Sequence, residues 1–189
     1  MFPVGGVGVM LVCVALSGVL CAFLAMLLRP RTGTVSALAI AALLWSVVVI
    51  GVVTLLPANG APGVVYAEGR LATCSWDIGG PAPDGFWIFS GGQRLLNVVV
   101  FVPSGALLVV AAARWGRWAV ATVPIGIALL AAYSVGIEWT QLELARIDRA
   151  CDVTDVIDNV TGALIGVPVG LALAMIVRPW RGRSSRSHY

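Results

Sequence analysis

Three polar sets recur at helical spacing in this otherwise apolar chain, and their side-chain types limit the chemistry open to them. At about 100° per residue, Arg94, Asn97, Phe101, Ser104 and Gly105 share an arc of roughly 100° on one helix. A second helix aligns Ser134, Glu138 and Gln141. A third gathers Asp152, Asp155, Asn159, Gly162, Gly166 and Gly170 within roughly 80°. A guanidinium presents a planar fork of donors that matches phosphate or carboxylate, so Arg94, Arg146 and Arg149 read as an anion-binding set oriented by neighbouring acids. That reading requires no covalent step. A catalytic alternative uses Glu138, Asp152, Asp155 and Asp158 as oxygen ligands for a divalent cation that activates water or a phosphate leaving group. A third reading takes the same residues as packing networks alone. The one histidine is His188 and lysine is absent, which removes His-dependent triads, His-rich zinc sites and Schiff-base chemistry. Catalysis is therefore disfavoured: we assign no catalytic residue, no metal ligand and no cofactor, and read the chain as not an enzyme.

These residues need elements to carry them, and composition dictates which. The 189 residues are 59% hydrophobic and 11% charged, against roughly 45–50% apolar and 25% charged in ordinary soluble domains. Mean hydropathy is +0.96. Five apolar runs reach the roughly 20 residues that cross a bilayer core as helix: Gly5 to Leu28, Val35 to Leu56, about Gln93 to Ala113, Trp118 to Leu142, and about Asp155 to Val177. None alternates with the period of a strand, and only helices or closed barrels satisfy backbone groups in hydrocarbon. The predicted fold is all-α, a polytopic integral membrane bundle of five transmembrane helices. Residues 1–56 form two amino-terminal spans, 57–92 an extracytoplasmic loop, 93–177 a three-helix region and 178–189 a basic cytoplasmic tail. The first span is read as a retained anchor because it lacks a basic leader and runs into Arg29-Pro30-Arg31.

Charge placement predicts orientation. Arg29, Arg31, Arg114, Arg117, Arg178, Arg181, Arg183 and Arg186 fall on one side, while all nine acids and the other four arginines fall on the opposite side. The positive-inside rule then puts the amino terminus outside and the carboxy terminus in the cytoplasm, as a multi-pass protein of the cell membrane. The tail meets anionic headgroups, with Trp180 at the interface. It lacks the folded reader and serial aromatics of nucleic-acid binding. Five helices form no evident pair of inverted repeats, which argues against a transporter.

Glu138 lies about one turn inside a span, where an unpaired carboxylate is costly, so it must face the bundle and meet donors. Arg94 is its first expected partner, with Asn97 and Asn159 as amide donors. Gly162, Gly166 and Gly170 form a small-residue stripe that permits close helix approach. Asp152 or Thr154 can cap the last helix. The turn-rich loop carries Trp76, Phe86, Trp87 and Phe89 at headgroup level. Cys13 and Cys21 lie within the first helix, whereas Cys74 and Cys151 fall in external segments, either as a disulfide or as two unpaired thiols.

Read in order, Leu96-Asn97, Phe101-x-Pro103-x-Gly105, Glu138-x-x-Gln141 and Arg149-x-x-Asp152-x-x-Asp155-x-x-x-Asn159-x-x-Gly162 resemble the VanZ-like membrane protein family. The resemblance covers Arg94 to Gly166, and the order and spacing of separate motifs carry it. The Cys74 loop stands outside them. It implies a role in glycopeptide resistance of the teicoplanin type, or more broadly in the cell envelope. The expected partners are the bilayer and a lipid-linked cell-wall precursor or a glycopeptide. The competing expectation is a metal-dependent membrane enzyme acting on a polyprenyl-phosphate or lipid-linked precursor.

Overall fold

The structure is a computed structural model that describes residues 5–56, 73–76, 87–144 and 151–179, with side chains in the third helix described from Arg94. Long apolar stretches become helices: α1 (Val7–Thr32), α2 (Thr34–Leu55), α3 (Trp87–Ala112), α4 (Ala119–Leu144) and α5 (Val153–Val177). Among the described residues there is no strand, only an isolated parallel bridge between Ser75 and Asp152. Four stretches are long and apolar enough to cross a membrane: Val7–Thr32, Thr34–Leu55, Arg94–Glu143 and Val153–Val177. The third, of 50 residues, is not one straight rod. It is interrupted by the 3₁₀ turn Ala113–Trp118, in which Gly116 has φ 60° and ψ −123°, a backbone state that disfavours a side chain. Gly33, at φ 80°, separates α1 from α2 in the same way.

Helix bounds depart from the apolar runs where polar residues continue the hydrogen-bond ladder. α3 begins at Trp87 rather than near Gln93, so Trp87 and Phe89 belong to its first turn and not to the loop. α1 runs through Arg29-Pro30-Arg31 to Thr32. α5 starts at Val153, two residues early, because Asp152 caps it.

α3 and α5 form the most extensive helix pair. Glycine makes this possible. A Cβ on Gly162 would overlap the carbonyl of Val98, one on Gly166 that of Val102, and one on Gly170 that of Ala106. Three glycines four residues apart thus seat against three carbonyls four residues apart, a register of two helices running in the same direction. Gly105 reciprocates against the carbonyl of Ala163. A core of Ile50, Phe101, Leu108, Leu130, Ile137 and Ala163 then joins α2, α3, α4 and α5. α1 packs on α2, where the Trp45 indole N–H donates to the Val14 carbonyl at 3.0 Å and its ring covers Gly18. From Arg94 to Arg114, through α3 and into the turn that follows it, the chain rises about 30 Å, close to the hydrocarbon thickness of a bilayer. Among the described residues the two ends differ in chemistry, with every carboxylate and Arg94 at one and the other five arginines at the opposite end.

Candidate functional site

The acidic end of the bundle is organised by the start of α5. Asp152 adopts an extended backbone and its Oδ1 accepts from the Thr154 N–H at 2.8 Å, capping the helix. The Asp152 N–H in turn donates to Oε2 of Glu138 at 3.0 Å. Glu138, on α4, is only 5% exposed. A buried α4 carboxylate thus faces the positive end of the α5 dipole.

Arg94 is committed elsewhere than its spacing predicts. Its Nε donates to Asp158 Oδ2 at 2.9 Å and its Nη2 to Asp158 Oδ1 at 3.0 Å, a two-pronged fork. The expected Arg94 pairing with Glu138 is therefore replaced by Arg94 with Asp158. The reason is register: the glycine contact that sets Val98 over Gly162 also sets Arg94 over Asp158, one turn above. The Asp158 side chain is 8% exposed and that of Arg94 51%. Among the described residues, both Nη1 hydrogens and one on Nη2 meet no acceptor.

Neither expected amide donor bonds Glu138 among the described residues. Asn159 Nδ2 donates to Ser134 Oγ at 2.9 Å rather than to Glu138, joining α5 to α4. Asn97 Nδ2 and Asn159 Oδ1 are buried with no hydrogen-bond partner among the described residues. Gln141 Nε2 reaches back to the Thr54 carbonyl at 3.1 Å, and Tyr133 donates to the Val47 carbonyl at 2.8 Å, so α2 also supports the site. Ser104 and Ser46 hydroxyls meet at 2.9 Å. Asp155 lies half-buried in the first turn of α5. Arg149, Arg146 and Asp148 lie outside the described residues.

The long loop is fastened to this same end. Cys74 and Cys151, separated by 77 positions, form a disulfide with Cα atoms 4.7 Å apart. Two backbone bonds flank it: Ser75 N–H to the Cys151 carbonyl at 2.9 Å, and Val153 N–H to the Ser75 carbonyl at 3.1 Å. Cys74 and Ser75 therefore grip Cys151 and Val153, the residues on either side of Asp152. Cys13 and Cys21 are free in α1. Among the described residues, no group of three or more His, Cys, Asp or Glu is placed to hold a metal ion.

Sequence reasoning brings Arg94, Asn97, Glu138, Gln141, Asp152, Asp155 and Asn159 to one end of the helices. It omits Asp158 from the Arg94 network because that residue lies about 40° beyond the polar arc of α5, a gap the long arginine spans. It also omits α2, whose Thr54 and Val47 contribute backbone carbonyls that no side-chain pattern can reveal.

A family model described as VanZ/LLP1 matches residues 47–178. The chain belongs to the VanZ/LLP1 family. The match starts within α2 and closes at the α5 cap, so in this VanZ/LLP1 protein it spans more of the chain than the three polar motifs and takes in Val47 and Thr54, whose carbonyls hold Tyr133 and Gln141. No curated protein and no solved structure matches the chain.

Proposed function

We propose that this VanZ/LLP1 protein is a non-catalytic, five-span protein of the cell membrane whose extracytoplasmic polar site binds an anionic group of a lipid-linked cell-wall precursor or a glycopeptide. Through that binding it contributes to envelope function or to teicoplanin-type resistance. The observation that carries this reading is Arg94: a half-exposed guanidinium, oriented by buried Asp158 and with donors that no described residue takes up, at the end clasped by the disulfide. A planar donor fork fixed in advance binds phosphate or carboxylate without first losing side-chain freedom.

Two features support the orientation with the amino terminus outside and the carboxy terminus in the cytoplasm. Disulfides persist in oxidising compartments, which suits an external Cys74–Cys151 end. The opposite end carries the arginine excess that favours retention inside. The break at Gly116 supports two spans within Arg94–Glu143, giving five in total.

The test is teicoplanin tolerance of cells expressing the wild type, Glu138→Ala or Arg149→Ala at matched membrane levels, together with capture of labelled lipid precursor by the purified full chain. Both variants are expected to lower tolerance while inserting normally, and the wild type to retain bound precursor stoichiometrically. Unchanged tolerance at normal protein levels defeats the reading. Release of a product that stops on chelation replaces it with the metal-dependent enzyme.

A further inference from the structure

The end of the bundle opposite the polar site carries its own chemistry. Arg29, Arg31, Arg114, Arg117 and Arg178 come from three separate chain segments, and among the described residues every carboxylate lies at the other end. Tertiary structure brings these segments together. Ala39 near the start of α2, Val110 and Ala111 near the end of α3, and Ala174 in the last turn of α5 form one buried cluster. Arg178 follows directly, closing α5 in a left-handed conformation with its N–H on the Ala174 carbonyl. Arg114 spans from the α3–α4 connection to the α1–α2 connection, where its Nη1 and Nη2 donate to the Arg31 carbonyl at 3.4 and 3.3 Å. Arg114 thus acts as a strut that fixes the backbone of Arg31.

Arg31, Arg117 and Arg178 are exposed, and Arg117 lies 5.7 Å over the ring of Trp118. Trp115 and Trp118 are exposed beside them. Indole rings favour the level of the headgroups, where one edge is wet and the other apolar. Cations at that depth, with every described carboxylate at the other end of the bundle, attract phosphate esters of the adjoining leaflet.

We infer that this arginine end is a binding surface for anionic phospholipid, with Arg31, Arg117 and Arg178 engaging the headgroup phosphate and Trp115 and Trp118 lying along the glycerol and upper acyl chains. The surface is about 30 Å from Arg94 along α3 and independent of any ligand bound there. Its contacts are point-charge contacts, so lysine can substitute for arginine and glutamine cannot.

The full-length protein, purified in detergent, is exposed to equimolar dioleoyl phosphatidylglycerol and dioleoyl phosphatidylcholine, and retained lipid is counted by native mass spectrometry. Phosphatidylglycerol is expected to be retained in preference. The triple variant Arg31→Gln, Arg117→Gln, Arg178→Gln should lose that preference by about tenfold or more, and the corresponding triple Lys variant should keep it. Arg178→Gln alone, at an exposed helix end, should weaken retention by about fivefold and keeps the test decisive if the triple variant fails to fold. An intact Cys74–Cys151 bond reports folding in each case. Equal retention of the two lipids by the wild type overturns the inference, as does wild-type preference in a folded Gln variant or a loss in the Lys variant as large as in Gln.

Discussion

Arg94 and Asp158 are joined by the same two hydrogen bonds but stand in different surroundings, and this asymmetry has consequences. Arg94 is half exposed and keeps water when its partner is lost, whereas Asp158 is 8% exposed and does not. A buried carboxylate stripped of its cation is the costlier orphan. We therefore expect Arg94→Ala to lower the melting temperature of the detergent-solubilised protein by more than Asp158→Asn does. Adding Asp158→Asn to Arg94→Ala should recover part of the loss. Equal effects of the two single variants would show that the Asp158 side is not the desolvated one. Glu138 differs again, because its described donor is the backbone N–H of Asp152, which no substitution of a neighbouring side chain removes.

At the scale of the element, the α3–α5 pair rests on backbone meeting backbone. Gly166 has no room for a side chain, since its Cβ would strike the Val102 carbonyl and the Ala106 nitrogen. Gly136, on the open face of α4, has nothing within 4 Å of where its Cβ would lie. Gly166→Val is expected to force the helices apart and destabilise the fold by about 1–3 kcal/mol, as overpacking of a tight interface does. Gly136→Ala should be neutral or stabilising by up to about 1 kcal/mol, because alanine loses less backbone freedom in a helix. Thermal unfolding of both variants, followed by helical circular dichroism, checks the contrast. The stripe of Gly162, Gly166 and Gly170 is legible in sequence because the helical period is fixed by backbone geometry. The identity of its neighbour is not, since any helix with small residues or open carbonyls can seat there.

At the scale of the whole molecule, the disulfide joins a segment before α3 to the residue that introduces α5. It thereby closes a loop that contains α3, α4 and their connection. Alkylation under denaturing, non-reducing conditions should label two thiols, those of Cys13 and Cys21, and alkylation after reduction should label all four cysteines. A mass difference of two labels is the expected readout, and four labels without reductant would contradict it. Replacing Cys74 and Cys151 by Ser should lower stability by about 2–5 kcal/mol, the usual range for a native bond that closes a long loop. It should also loosen the grip of Ser75 on Cys151 and Val153, and with it the position of the Asp152 N–H beneath Glu138.

Composition and periodicity alone dictated helices, the polar faces of α3, α4 and α5, the glycine stripe and the cap at Asp152, because each depends on neighbours within a turn or on the transfer of apolar side chains out of water. Partner choice did not follow from them. Arg94 pairs with Asp158 rather than Glu138, Asn159 with Ser134, and Gln141 with a carbonyl of α2. Each of these depends on how far one rod slides along another, and that offset is set by glycine seating on distant carbonyls rather than by any local pattern.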